Sequence, residues 1–334
     1  MRYITALLSL AALVPAQSGF SPAGPKIGII DFYGLHKVSQ ATIAQALETH
    51  VGDPLPRSKA QVEERIDQIP GVVQSHLEAV CCEEGRMILY VGIEEKGAPH
   101  FDLRETPDGD ADLPEEVADL YRKLEQTSPG ASREDLTHGY ALSANPDARA
   151  IQEQFPLVAK RYTAELRHVI HDSSDDDQRA VAVYVIGYAP DRTSIINDLQ
   201  YALKDPDAGV RANAAHALRA MAVYARLHPE EKLRLEPTWF VEMLNSLWWA
   251  DRHEAVEMLL DLTDSRDEST LQQIRERALG SLIEMAQWKA LTHALPAFLL
   301  LGRVAGMPDQ QVQGAWTRGD RESVIALAMK KGKK

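Results

Sequence analysis

The chain has 334 residues, 45% of them hydrophobic and 25% charged, with a formal net charge of −13. That length supports two or three ordinary cores, and this balance of apolar and charged residues excludes wholesale disorder. The acidic excess argues against nucleic acid as a principal partner, because phosphate binding needs clustered Lys and Arg.

Residues 1–18 stand apart from the rest. Arg2 gives a positive start, residues 4–14 form an almost unbroken apolar run, and Val14-Pro15-Ala16 places small side chains before a cut near Ala16. This is the three-part layout of a secretory signal, too short to span a bilayer comfortably. It predicts export to the periplasm or cell envelope, with retention as an anchor the competing reading. Cys81 and Cys82 are the only cysteines. Export permits a disulfide, but neighbours cannot staple distant parts, and the pair reads as two thiols at a strand end or turn.

Residues 26–97 read as one small α+β unit. KIGIIDFY at 26–33 is alternating and β-branched, hence a strand. Ser39 caps a helix with Ile43, Ala44 and Leu47 on its apolar stripe. A second helix runs through Val62 and Ile66 and closes at Pro70-Gly71. Residues 72–80 and 87–94 are strand-like, joined by a turn at Glu83-Glu84-Gly85. This β-α-α-β-β order, with Gly34 before the first helix, Gly52-Asp53-Pro54-Leu55 between helices and Gly71-Val72 opening the second strand, resembles a POTRA-type domain. The resemblance covers about 70 residues and implies a docking module that pairs an exposed sheet edge with a partner strand. The barrel that normally follows such domains has no counterpart here.

Residues 98–145 read as an acidic connector, with eleven acids and four bases over 101–137 and a short helix over 114–124. Acidic runs are ordinarily solvated surface. Asp108, Asp110 and Asp112 imitate the start of an EF-hand loop, but Gly109 is misplaced and the closing Glu is missing. From Asn145-Pro146, an N-cap and first-turn Pro, the chain turns helical to about residue 330. A second helix from Pro156 to about 170 carries Leu157, Tyr162, Leu166 and Ile170 as a buried stripe.

Within 176–222 a register can be counted. QRAVAVYVIGY from Gln178 and VRANAAHALRAM from Val210 place Arg179 on Arg211, Ala182 on Ala214 and Ile186 on Leu218, each 32 residues apart. Asp205 reads as the cap of the second of these helices, and Arg211 as a rung of a structural ladder to a neighbouring Asp. The unit D-P-D-x-x-V-R-x-x-A-A-x-A-L resembles short HEAT repeats, which implies an armadillo-type stack of helix pairs with a continuous core. Ala255 in RHEAVEMLLDL and Ala278 in IRERALGSLIEMA extend the pattern irregularly and read as two adjacent helices, with further helices over 291–304 and 321–330.

His168 and His171, three residues apart and followed by Asp172, form the best metal-binding candidate, without the spacing of a known zinc site. No nucleotide-binding or nucleophile-elbow motif is present. In PTWFVEMLNSLWWADRHEA the helical spacing reads first as core, but Trp248 and Trp249 point in different directions, so at least one can reach the surface, and Trp248 or Trp249 is the candidate partner contact. The Lys-rich residues 330–334 read as a solubilising tail, with peripheral contact to an anionic membrane as the alternative. Together these readings predict an exported, non-enzymatic protein-binding scaffold that uses no cofactor. The alternatives are a metal protein or enzyme built on His168 and His171, and a signal-anchored envelope sensor.

Overall fold

The computed structural model describes residues 25–127 and 134–332. The leader and the last two residues of the basic tail lie outside them. The N-terminal unit runs β1 (Ile27–Tyr33), α1 (Gln40–Leu47), α2 (Lys59–Asp67), β2 (Val72–Glu83) and β3 (Arg86–Glu95). Its sheet has the order β1-β3-β2, with β3 parallel to β1 and antiparallel to β2. Ser39 and Ser58 accept the N–H groups of Thr42 and Gln61 and so start the two helices. Gly34, with φ +76°, turns the chain where any side chain would run into the Ile93 carbonyl. Glu84 and Gly85, both at positive φ, make the two-residue hairpin turn. Near the end of β2, Cys81 and Cys82 are joined as a disulfide rather than standing as two thiols.

Strand alternation gives the sheet two apolar faces. Leu89, Val91 and Ile93 pack with Ile43, Leu47, Val62 and Ile66 of α1 and α2 in a core of their own. Ile88 and Tyr90, with Tyr33, point the other way and belong to the core of the helical half.

Residues 98–113 are extended and lead into α3 (Glu115–Glu125), β4 (Glu134–Asp135) and β5 (Leu142–Ser143). The connector is packed, which corrects the solvated reading. Phe101 and Ala111 are buried, as are Val117, Leu120 and Leu124 on one stripe of α3. Its acids stay outward while every third or fourth apolar residue turns in.

The remaining chain is all helical: α4 (Pro146–Gln152), α5 (Phe155–Arg161), α6 (Thr163–Asp172), α7 (Asp176–Ile186), α8 (Arg192–Ala202), α9 (Ala208–Leu227), α10 (Thr238–Met243), α11 (Trp249–Leu262), α12 (Glu268–Arg277), α13 (Leu279–Ala286), α14 (Leu291–Val304), α15 (Asp309–Thr317) and α16 (Arg321–Gly332). Helices α7, α9, α11 and α14 stack side by side in one layer, with α6, α8, α10 and α12 behind them. The layer helices start at residues 176, 208, 249 and 291, so the first interval is 32 and the next two are 41 and 42. Ala214 and Ala215 allow close approach, and Leu218 and Met221 fill the space between layers. Among the described residues no helix is long and apolar enough to cross a membrane.

Four local expectations are corrected. The helix expected from Pro156 to 170 breaks at Tyr162 into α5 and α6. Because α5 turns Phe155, Val158 and Ala159 inward, Leu157 is left 64% exposed. Asp207, not Asp205, caps α9, since the Asp205 carboxylate is taken by two arginines. The run IRERALGSLIEMA is two helices, α12 and α13, with the terminal carbonyl of Arg277 taken by the Asn245 amide. Helix α15 was not anticipated.

Candidate functional site

The starts of the layer helices line up along one edge of the array, and buried arginines mark it. Arg179 forks onto Asp205 with two bonds of 2.9 Å and donates to the Ser173 carbonyl at 3.0 Å. Arg211 donates Nε to both oxygens of Asp251 at 3.0 Å and Nη1 to the Asp205 carbonyl at 2.8 Å. Arg252 donates to the Ser246 carbonyl at 2.6 Å and reaches Glu284 at 3.3 Å. Each guanidinium thus takes the carbonyl six residues before it and an acid of the next repeat. The ladder expected of Arg211 is present and has a third rung. Planar Arg suits this task, because a buried charge needs a counter-charge and partners for its several donors; of the donors of Arg211, only Nη2 finds no partner among the described residues.

The chain's own N-terminal half covers this edge. Arg104 joins Asp205 and gives 2.9 Å to the Tyr201 hydroxyl. Gly109 accepts from Ser174 N at 2.9 Å, and Leu113 N donates to Gln178 at 2.7 Å. Farther along, the sheet takes over. Tyr33 donates its hydroxyl to the Leu247 carbonyl at 2.8 Å, and its ring lies 4.4 Å below the Arg252 guanidinium. Gly34 N donates to Glu284 at 3.1 Å, and Lys289 N to Asp31 at 2.9 Å. Glu83 accepts Leu291 N at 3.2 Å and the Thr292 hydroxyl at 2.7 Å, so a strand-end carboxylate caps α14. Between these polar anchors, Tyr90 stacks on Trp249 at 5.2 Å and packs against Trp288 at 5.0 Å.

Burial shapes the titration of the seam. It raises Asp31 above the usual carboxylate range against the pull of Lys289, and raises the Tyr33 and Tyr90 hydroxyls. His76 on β2 is pushed down to about 4 by burial, with Lys59 and Arg211 adding to it. His253 and His293 are also lowered, again chiefly by burial.

The two candidate tryptophans are both engaged inside the molecule. Trp249 is 8% exposed and faces the sheet. Trp248, half-buried, lies 4.7 Å from the Arg211 guanidinium and 5.4 Å from the His76 ring. His168 and His171 do not converge. His168 binds Asp172 at 2.8 Å, whereas His171 turns to Asp198 at 3.1 Å and lies over the Tyr201 ring. Among the described residues no three His, Cys, Asp or Glu side chains gather as a metal-ligand set. Arg252, His253 and His293 were missed by the sequence reading. Arg252 follows Arg211 by 41 residues, the same interval that separates Ala255 from Ala214, so the shifted register carried that signal.

A family model described as HEAT repeats matches residues 163–233, which run from the start of α6 to just beyond α9. No curated protein matches the chain.

Proposed function

Since the chain is a HEAT-repeat protein, we propose that it serves as a non-enzymatic scaffold for other proteins in the periplasm or cell envelope. The observation that carries this reading is the HEAT match itself. Repeats of this kind typically mediate protein–protein contacts through extended helix faces rather than through an enclosed active site. The helix-start edge is occupied by the sheet and connector, which directs a partner to the two helix layers. Those layers carry charged pairs across neighbouring helices, such as Arg219 with Glu257 at 2.9 Å and Arg277 with Glu242 at 3.0 Å. Pairs that keep part of their surface in solvent, as these do, contribute little to stability and can re-pair with a partner.

The N-terminal unit is read as a POTRA-like docking module. Its support is the β-α-α-β-β order and the three turn glycines at positive φ, Gly34, Gly52 and Gly71. Export rests on residues 1–18 alone. Affinity capture from an envelope fraction, with Arg219→Glu and Arg277→Glu variants beside the wild type, tests the scaffold reading. A protein retained by the wild type and lost with one variant is the expected result. Retention of nothing above the bait-free level would overturn it. Intact-mass measurement of the exported protein tests the leader, with cleavage near Ala16 expected. An uncut chain would favour the anchored sensor instead.

A further inference from the structure

The sheet unit has a core of its own against α1 and α2, separate from the core it shares with the array. Its second face is held on the array by the polar anchors and tyrosine–tryptophan packing described above, and by two imidazole contacts, His76 with Trp248 and His293 with Tyr90. His76 of β2 lies against Trp248, and His293 of α14 lies 4.8 Å from Trp249 and 2.7 Å from the Tyr90 hydroxyl, while His253 backs Trp249 from within α11, stacked at 5.0 Å and 9°. His253 and His293 are 6.0 Å apart, centroid to centroid. We propose that this seam is an acid-released clasp, in which neutral His76 and His293, with His253 packed behind Trp249, hold the sheet on the array and their protonation frees it.

The surroundings of each ring give the sign. His76 is faced by Lys59 and Glu63 of α2, Glu78 of its own strand, and Arg211 of α9. His253 has Glu254 beside it on α11 and Arg219 on α9, and His293 has Glu83 of β2, Tyr90 of β3 and His253. Burial outweighs the acids in all three cases, and a second imidazolium 6.0 Å away repels the first. A docked histidine held below its free value binds protons less readily than an undocked one. Docking is therefore full above the ordinary imidazole range and weakens as pH falls below it. Asp31 and Glu78, raised by burial, take up protons more readily when docked and work the other way. Three imidazoles act against these two carboxyls, and in the undocked state the imidazoles charge at a higher pH than either carboxyl.

The test uses the full-length protein, followed by small-angle scattering, tryptophan fluorescence and far-UV circular dichroism from pH 7.5 to 4. The expected result is a larger radius of gyration and red-shifted emission with helix content unchanged. The midpoint should fall between the ordinary 6.5 and the value of about 4 that His76 has when docked. In His253→Phe/His293→Gln, which keeps a ring on Trp249 and a partner for Tyr90, the midpoint should move to lower pH by roughly half a unit or more. Unchanged scattering and emission in the wild type down to pH 4, or a variant that opens at the wild-type pH, would overturn the clasp. If that variant does not fold, proton NMR titration of the wild-type imidazoles decides. His253 and His293 titrating at ordinary values with the seam still closed would also refute it.

Discussion

Replacing Arg211 by Met would separate the repeats at the α9–α11 boundary. The guanidinium is wholly buried and holds Asp251 through two bonds of 3.0 Å, together with the carbonyls of Asp205 and Pro206 at 2.8 Å. After the change, Asp251 keeps only the Ser246 hydroxyl, at 2.7 Å, and is left as a buried, uncompensated carboxylate. Breaking a buried pair in this way costs about 3–5 kcal/mol. The two orphaned carbonyls add about 1–3 kcal/mol if water does not reach them. That is a large share of the roughly 5–15 kcal/mol that holds a domain together. A repeat array is stabilised between neighbours, so the loss should appear as a split urea transition. Circular dichroism would follow the whole array, and the emission of Trp248, stacked on Arg211, would follow the damaged boundary. The double change Arg211→Met/Asp251→Leu leaves no stranded charge and should recover a good part of the loss. A cost below about 1 kcal/mol for Arg211→Met, or no coupling between the two positions, would refute the ladder as the link between repeats.

Gly92→Ala would place a methyl group against the Leu247 carbonyl and the Tyr33 hydroxyl. It should loosen the seam and raise proteolytic cutting in residues 98–113, while the array melts as before. Glu95 accepts N–H bonds from His36, Val38 and Lys37 at 2.8–3.0 Å. Burial alone would raise this carboxyl, but the three backbone bonds outweigh it and hold the group below its ordinary value. A lowered carboxylate contributes stability that is present above the ordinary 4.5 and lost as pH falls through the folded value. Glu95→Gln should cost roughly 1–3 kcal/mol at neutral pH and flatten the acid slope of the N-terminal unit's melting, read by thermal denaturation between pH 5 and 3. An acid slope equal to the wild type's would count against this.

Much of the fold was legible because its signals are local. Ser39 and Asn145 cap helices within three residues of themselves, and Arg179 and Arg211 announce a repeat by spacing. Errors arose where a distant group outcompeted a local role. Asp205 looks like a cap in sequence, yet it is the counter-charge for Arg179 and Arg104. Trp249 looks like a candidate for the surface, yet Tyr90 of a strand more than 150 residues earlier covers it. The connector's acidic composition hides the sparse stripe of Val117, Leu120 and Leu124 that packs it down. The seam itself left no local trace, because its two sides are never close in the chain.

That separation bears on how the molecule is made. Tyr33 meets the Leu247 carbonyl across 214 residues, and Asp31 meets Lys289 N across 258. A chain emerging from its N-terminus completes the sheet early, with Tyr33, Ile88 and Tyr90 on a bare apolar face. That face has no cover until α11 and α14 have been synthesised. Contacts of such long range are slow to close, and uncovered apolar surface is what chaperones recognise. For most of its synthesis the chain therefore carries a sticky sheet awaiting its own C-terminal half, and truncation before about residue 293 would leave it so permanently.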